Sequence, residues 1–201
     1  VISQLVKQRL EEKARTKFHS EAVETTSIIQ QNLSIYVSML HSASGLFAAS
    51  KSVERDEWSA FVRSMDLKER YHGSVAIRYI EIVDEEGKEK FIESVRQDTS
   101  VSPEGYPKFK IFPENNLPGE SKYYVVKYLE PYEGNEAMLG LNVGFEPVRH
   151  EALDQAMDLG REAFTAKTML FAQQGTKKEG FLIVMPIFHN GMPKATVEDR
   201  R

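Results

Sequence analysis

The sequence predicts an α+β protein in which one long N-terminal helix is followed by a mixed, mostly antiparallel β-sheet fold. From residue 2 to residue 49, apolar side chains recur at steps of three, four and seven, which is the period of a helix. After residue 51 the chain changes to short segments in which apolar and polar side chains alternate, separated by turns rich in Gly, Pro and Asp. Helices and short strands in this order are typical of α+β folds.

The first of these segments is predicted to be a stalk. A helix over residues 2 to 49 would be about 70 Å long at about 1.5 Å per residue, which is several times the usual helix length. Its outward positions are charged, and its apolar seam has nothing else in one chain to cover it over that length. We therefore predict a stalk helix at 1–50, which pairs in parallel with a second copy, and a globular part at 51–201.

The globular part is predicted to begin with a helix, a strand, a second helix and two further strands. Ser52 is a suitable N-cap for the first helix, which carries Trp58 and Val62 on one face. A strand over 74–83 and a turn at 84–87 follow. Next come, in order, the amphipathic helix KEKFIESVRQ and the strands KFKIF and YYVVKYL.

A third helix and two strands complete the predicted fold. The helix covers about 146–159 and ends at Gly160, a usual C-terminal stop. After it come the strand EAFTAKTMLF, a polar hairpin tip QQGTKKEG, and the strand FLIVMPIF. The last of these is the longest uninterrupted apolar run, far below the roughly 20 residues of a membrane helix.

Composition and motifs exclude several function classes. The chain has 26 Lys and Arg against 30 Asp and Glu, for a formal charge of −4, and no basic stripe, so nucleic acid is not a predicted partner. It has no cysteine, which excludes disulfides and thiolate catalysis. There is no P-loop, G-x-S-x-G or H-E-x-x-H motif, and no two of the five histidines stand at i,i+4 spacing. We predict no catalytic residue, metal or cofactor for this segment.

The segment EPYEGNEAMLGLNVGFEPVR, residues 130–149, predicts a corner between the strand YYVVKYL and the following helix. Pro131 ends the strand by removing a backbone donor. Asn135 is a candidate cap for the short turn EAML, and Gly140 lets the chain return to the sheet without a Cβ atom. A corner of this kind forms one wall of a cavity.

The order and spacing of several motifs resemble the CHASE domain over about residues 15–200. These are EP-x3-N-x4-G in the corner, A-x-D-x-G-x4-T after it, and a glycine-led strand that ends in PIF. The resemblance implies an extracytoplasmic ligand sensor, held between two transmembrane helices, with a long stalk helix and two PAS-like subdomains. Such domains serve cytoplasmic histidine kinases, diguanylate cyclases or phosphodiesterases, and adenylyl cyclases.

The resemblance thus implies the periplasmic part of a bacterial inner-membrane receptor that is a homodimer through its stalk. The parent protein would be an enzyme, a histidine kinase of a two-component system or, alternatively, a diguanylate cyclase or phosphodiesterase. The ligand-binding, membrane-distal part would cover about 51–171, and the membrane-proximal part would be incomplete at residue 201. A ligand-free dimerisation or interaction domain is the other alternative.

The best understood members of the family are plant cytokinin receptors, and the resemblance to them implies a set of ligand-binding residues. The pocket threonine corresponds to Thr165, and the position with a backbone contact to the ligand to Phe171. The apolar wall falls at Ala137, Val143 and Val184. The acidic residue that binds adenine is replaced here by Arg149, so we predict an anionic small-molecule ligand in place of cytokinin. The alternatives are that Arg149 only pairs with Glu146, and that Thr165 only bonds a neighbouring strand.

Overall fold

The computed structural model describes residues 2–71, 76–171 and 177–201. The predicted fold class is confirmed: a long N-terminal helix precedes small sheets, all of them antiparallel. The chain divides into two compact units, residues 1–39 and residues 40–201. In the described parts of the chain, no helix combines the length and the apolar character needed to cross a membrane.

Helix α1 runs from Ile2 to Ala49, so the predicted single helix is confirmed. In the first unit it carries the ion pairs Lys7–Glu11 and Lys17–Glu21 at i,i+4 spacing, which stabilise a helix surface weakly. Large apolar side chains are exposed along the same stretch: Val6, Leu10, Phe18, Val23, Ile28, Ile29 and Ile35. The first unit therefore presents an uncovered apolar surface.

The C-terminal end of α1 belongs to the second unit and is capped by a distant side chain. Asn190 donates from Nδ2 to the carbonyl oxygens of Ala48 and Ser50, at 3.0 and 3.2 Å. A helix leaves its last carbonyls without partners inside the helix. Asn190 supplies the missing donor and fixes this end of α1 to the globular part.

Helix α2 runs from Arg55 to Ser64, and its N-cap lies two residues later than predicted. Ser52 is not the N-cap; Glu54 is, and its backbone N–H donates to the Glu57 carboxylate at 3.0 Å. A glutamate at the third helical position provides this bond from within the helix, which explains why the start lies at Glu54. The short helix α3, Leu67–Arg70, follows.

The central sheet pairs β1, Ile77–Asp84, with β2, Lys122–Glu130, in antiparallel register with a bulge between Tyr79 and Ile80. The strand predicted over 74–83 thus begins at Ile77 in the described part, and residues 72–75 lie outside it. A turn leads from β1 into helix α4, Lys88–Arg96, as predicted. Together they bury one core cluster: Val83, Ile92, Val95, Phe109, Ile111, Tyr123 and Val125.

The predicted strand KFKIF is not a strand. Phe109 and Ile111 alternate into the core cluster as the pattern indicates, but only Phe112 pairs, in a single bridge with Leu141. The Phe112 N–H donates to Gly140 and its carbonyl accepts from Asn142. The partners, Gly140 and Asn142, lie in a loop, and the pairing with Phe112 is limited to this single bridge, so the segment does not form a strand.

After the central sheet come helix α5, two small two-stranded sheets and a last short helix. Helix α5, Pro147–Leu159, ends at Gly160 with φ +66°, as predicted. The predicted strand over 162–171 is two strands: β3, Ala163–Phe164, pairs with β6, Ile183–Val184, whereas β4, Thr168–Phe171, pairs with β5, Lys177–Gly180. The apolar pattern indicates extended backbone but not the change of partner. The predicted strand 181–188 shortens to β6. Residues 173–176 of the predicted hairpin tip lie outside the described residues, and the rest of it, Lys177–Gly180, is strand β5 and not a tip. A last helix, α6, covers Val197–Arg200.

Candidate functional site

The two faces of β1 have different surroundings, because neighbouring side chains on a strand point to opposite sides. On one face Tyr79 stacks on Phe47 of α1, with ring centroids 4.5 Å apart, and lies 5.5 Å from Tyr128. On the other face Arg78 is paired in register with Leu129, which belongs to a buried cluster with Val126 and Val143. Strand β1 therefore has an aromatic contact with α1 on one face and the Arg78 guanidinium on the other.

The corner after β2 folds back onto this second face. Gly140 has φ +85°, and a Cβ atom there would lie 2.1 Å from the Lys110 carbonyl oxygen, so only glycine fits. Its N–H donates to Val126, and Leu141 accepts from Val126 in return. Asn135 precedes a 3-10 helix over Glu136–Met138, but its side chain donates to Pro131 and does not cap that helix. The predicted Asn135 side-chain cap is therefore wrong, since the amide is used to close the turn.

Arg149 lies in the first turn of α5, the helix that follows this corner in the chain. Glu146 caps the helix by accepting from the N–H groups of Val148 and Arg149, at 3.4 and 3.2 Å. The Arg149 side chain is 10% exposed, and its Nη2 donates to the Met169 carbonyl oxygen at 2.9 Å. Its Nε is buried, lies 3.6 Å from a Glu146 oxygen, and has no hydrogen-bond partner among the described residues. Burial lowers the pKa of Arg149, and the Glu146 charge opposes this only in part.

Arg78 on β1 is the second cation of the site, and the sequence did not predict it. Its Nη2 contacts the Met138 sulfur at 2.8 Å, and its buried Nε has no hydrogen-bond partner in the described parts of the chain. Burial and, as the smaller cause, the charge of Arg149 together lower the pKa of Arg78 to about 10. The like charge of Arg149 thus acts on Arg78 in the same direction as burial.

A signal for Arg78 does exist in the sequence. In the segment IRYIEIV the positions 78, 80 and 82 share one face of the strand, and the other two are isoleucines. An arginine in an otherwise apolar row is either a strand-end charge or a buried functional cation. Pattern alone does not separate these two interpretations, because the corner, which contacts Arg78 through Met138, is distant in sequence.

Thr165 and Val143 are buried in contacts within the protein. Thr165 accepts from the Leu182 N–H through Oγ1 at 2.8 Å, and its own N–H donates to the Leu182 carbonyl oxygen at 2.9 Å. These bonds hold the chain beside β3 to the segment before β6. Val143 packs with Val126 and Leu129, with 4% of its surface exposed.

The other three predicted wall and contact positions have different surroundings. Ala137 lies in the 3-10 helix of the corner and is exposed. Val184 is half-buried in β6, where it pairs with Ala163. Phe171 is the last residue of β4 and pairs with Lys177 through the backbone, but its side chain lies outside the described residues. The described contacts of Arg149 are therefore with Glu146 and Met169, and that of Arg78 is with Met138.

Comparison with known families gives a clear result for the globular part. The model of the CHASE domain family matches residues 51–201, which is more than half of the chain. No curated protein matches the sequence. The family match begins after α1 and includes the corner, both arginines and α5.

Proposed function

The chain belongs to the CHASE domain family, the extracellular sensor domains of signalling receptors, and on that premise we propose that it binds a small-molecule ligand at the corner after β2. The observation that carries this proposal is the buried Arg149 guanidinium, whose Nε has no hydrogen-bond partner among the described residues. Buried donors without partners are rare in folded proteins and call for a specific explanation. A ligand acceptor at this position supplies one.

The ligand is anionic in this proposal. A guanidinium offers donors only, so it favours a carboxylate over the N–H groups of a neutral base such as adenine. Arg149 also lies in the first turn of α5, where the helix dipole favours negative charge. The guanidinium and the helix dipole therefore both favour an anion at this position. The Glu146 carboxylate offsets this preference only in part, because it also caps the helix.

Signal transmission would pass through α1. Arg78 and the α1-facing Tyr79 are neighbours on β1, so a shift of that strand on ligand binding would move the stacked Phe47 ring. The periplasmic sensor would thus act on the stalk helix of a homodimer anchored in the inner membrane. The apolar side chains exposed in the first unit support pairing of two stalks.

The proposed dimer has a direct test. Leu10 and Phe18 are exposed, so Leu10→Glu with Phe18→Glu changes the stalk surface without removing a buried side chain. Sedimentation should show a dimer that the double variant converts to a monomer, because charges in an apolar seam oppose pairing. A control with Arg9→Gln and Lys13→Gln keeps the apolar seam and should remain a dimer. Equal association of all three proteins would contradict the stalk interface.

The proposed output is a cytoplasmic histidine kinase of a two-component system, with a diguanylate cyclase or phosphodiesterase as the alternative. CHASE domains are sensory and not catalytic, so neither activity belongs to the residues described here. Reading the coding sequence of the complete receptor decides between them, since a phosphoacceptor helix and a GGDEF-type segment differ plainly.

A ligand-free interaction domain is the second candidate. It is favoured by Thr165, whose hydroxyl is already used by Leu182, and by Val143, which is packed among core residues. Both residues then serve stability, and association through the stalk would be the whole function.

A ligand screen separates the two candidates. Thermal-shift measurements on the 201-residue chain would compare small organic acids with adenine derivatives. A ligand at about 100 times its dissociation constant adds about 2.7 kcal/mol to the free energy of unfolding. We expect acids to raise the melting temperature of the wild type and of Arg161→Met, which changes an exposed arginine, but not that of Arg149→Met. Stabilisation by adenine derivatives alone, or an acid response that survives Arg149→Met, would reject the proposed anionic site.

A further inference from the structure

We propose that Arg78 and Arg149 act together as a clamp for one carboxylate group of a ligand that bears a single negative charge. This inference rests on the proposed sensing function and makes the ligand class more specific. Arg78 comes from β1, and Arg149 comes from α5, so the clamp is assembled only in the folded chain.

The hydrogen-bond inventory of the two side chains leaves donors for a ligand. A guanidinium has five N–H donors. Arg149 uses Nη2 on the Met169 carbonyl oxygen, and Arg78 uses Nη2 on the Met138 sulfur, which is a weak acceptor. Both Nε atoms are buried and have no hydrogen-bond partner within the described residues. A carboxylate accepts through two oxygens and can serve both guanidiniums.

The charges of the site set the charge of the ligand. Two guanidiniums and the Glu146 carboxylate, 3.6 Å from Arg149 Nε, sum to one positive charge. One carboxylate brings that sum to zero, whereas a dianion leaves an excess negative charge in a poorly solvated place. A cationic ligand would add a third positive charge. The sum therefore favours a monoanion over neutral, cationic or doubly charged molecules.

The surroundings favour an apolar body on the ligand. Leu129 faces Arg78 across the sheet and belongs to the cluster with Val126 and Val143. The Met138 side chain contacts Arg78 through its sulfur. Methionine adapts its shape to different apolar groups. A small carboxylic acid with a hydrocarbon or aromatic portion suits this combination.

A purely structural role for the pair makes the opposite prediction about stability. A structural arginine stabilises the fold through its partners, so its removal lowers the melting temperature. Two like charges held together without a ligand oppose folding, so replacing one by an apolar chain of similar length should raise it. Arg78→Met without ligand therefore tests the pair independently of any ligand identity.

The probes are four compounds of similar shape: benzoate, benzamide, benzamidine and phthalate, which carry charges of minus one, zero, plus one and minus two. Acetate and acetamide repeat the comparison for a site too small for a ring. Melting curves of the 201-residue chain are recorded at constant ionic strength for the wild type, Arg78→Met, Arg149→Met and the exposed-site control Arg161→Met. Each titration gives an apparent affinity.

We expect a carboxylate to bind the wild type and Arg161→Met at least about tenfold more tightly than its amide, the effect of one charged hydrogen bond. That preference should vanish in Arg78→Met and in Arg149→Met, and phthalate should bind more weakly than benzoate. The clamp is refuted if neither carboxylate is preferred to its amide, if the preference survives Arg78→Met, or if Arg78→Met lowers the melting temperature without ligand. A ligand from the broader screen that needs Arg149 but not Arg78 would refute the clamp while leaving the sensing function intact.

Discussion

Two arginines adjoin the central sheet of β1 and β2, and their surroundings are opposite in character. Arg55, at the start of α2, donates from Nε to Asp98 at 2.6 Å, and its guanidinium lies 4.2 Å from the Tyr106 ring and 4.9 Å from the Tyr128 ring. Arg78 contacts a methionine sulfur and faces a second arginine. Arg55 is thus compensated by an acid and two aromatic rings, whereas the charge that acts on Arg78 is that of another arginine.

On the proposed function, Arg55 serves the fold, whereas Arg78 and Arg149 serve a ligand. Burying a charge is unfavourable unless an opposite charge and hydrogen bonds compensate it. At Arg55 the charge is compensated by Asp98 and by the cation–π contacts, although its Nη2 is also buried without a hydrogen-bond partner among the described residues. At Arg78 and Arg149 the compensation is incomplete, with Glu146 as a partial partner of Arg149. A site whose compensation must come from outside the chain is suited to sensing, because binding and stability are then linked.

The largest expected effect is at the compensated site. Arg55→Met leaves the Asp98 carboxylate without its cation, so we expect a loss of about 3 kcal/mol in the free energy of unfolding, at the lower end for a broken buried pair. The lower end applies because the Asp98 side chain is 19% exposed. Urea denaturation measures it. The double variant Arg55→Met with Asp98→Leu should recover much of the loss, and a loss of equal size in both proteins would show that the ion pair is not its cause.

At Arg78 we expect the opposite change in the free energy of unfolding, a gain in stability. Arg78→Met removes one of two repelling charges and should raise the free energy of unfolding by about 1–2 kcal/mol, since one pKa unit corresponds to about 1.4 kcal/mol. Urea denaturation of the ligand-free chain gives the value. The exposed Arg161→Met serves as the control for a general effect of methionine. A destabilised Arg78→Met would place both arginines in the structural class and remove the contrast.

Acid pH should affect the compensated site by a smaller amount. Burial opposes ionisation of Asp98, but hydrogen bonds from Ser100 and Arg55 outweigh it and lower the pKa of Asp98. A lowered carboxylate pKa contributes stability above the unfolded value of about 3.9, and this stability is lost as the pH falls through the folded pKa. The stability difference between wild type and Asp98→Asn, about 1 kcal/mol at pH 7 for a charged hydrogen bond, should therefore shrink towards pH 3. The exposed Glu104→Gln should show no comparable change; a pH-independent Asp98→Asn difference would contradict the assignment.

The sequence predicts the elements of this fold better than it predicts the partners of each residue. Helices α1, α4 and α5 and strand β2 follow from periodicity and from stops such as Gly160, which act within one segment. The KFKIF segment has the composition of a strand but lacks a continuing partner. The cap of α2 depends on Glu57, whose reciprocal bond to Glu54 competes with the simpler choice of Ser52.

The site shows the same limit. Arg149 could be singled out because it replaces an acid in a recognisable motif. Arg78 could not, because its surroundings depend on how the corner folds back onto β1, and its significance depends on Arg149, 71 positions later. Charge compensation is a property of three-dimensional neighbours. Arg55 and Arg78 look alike as letters in a sequence, and only the position of Asp98 separates them.

The smallest expected effect tests whether the two cations of the clamp interact. If Arg78 and Arg149 repel each other, removing either one relieves the other, so the gain from Arg78→Met should be smaller when Arg149 is already methionine. The double-mutant cycle on ligand-free protein should give a coupling of about 0.5–1 kcal/mol, at the low end for charged neighbours. The same cycle for Arg78 and the exposed Arg161 should give about zero, since distant sites are additive within about 0.5 kcal/mol. Adding benzoate at saturation should reverse the sign of the coupling, because a shared carboxylate makes each arginine depend on the other. Strict additivity of Arg78→Met and Arg149→Met, with and without benzoate, would mean that the two guanidiniums are independent residues and not one site.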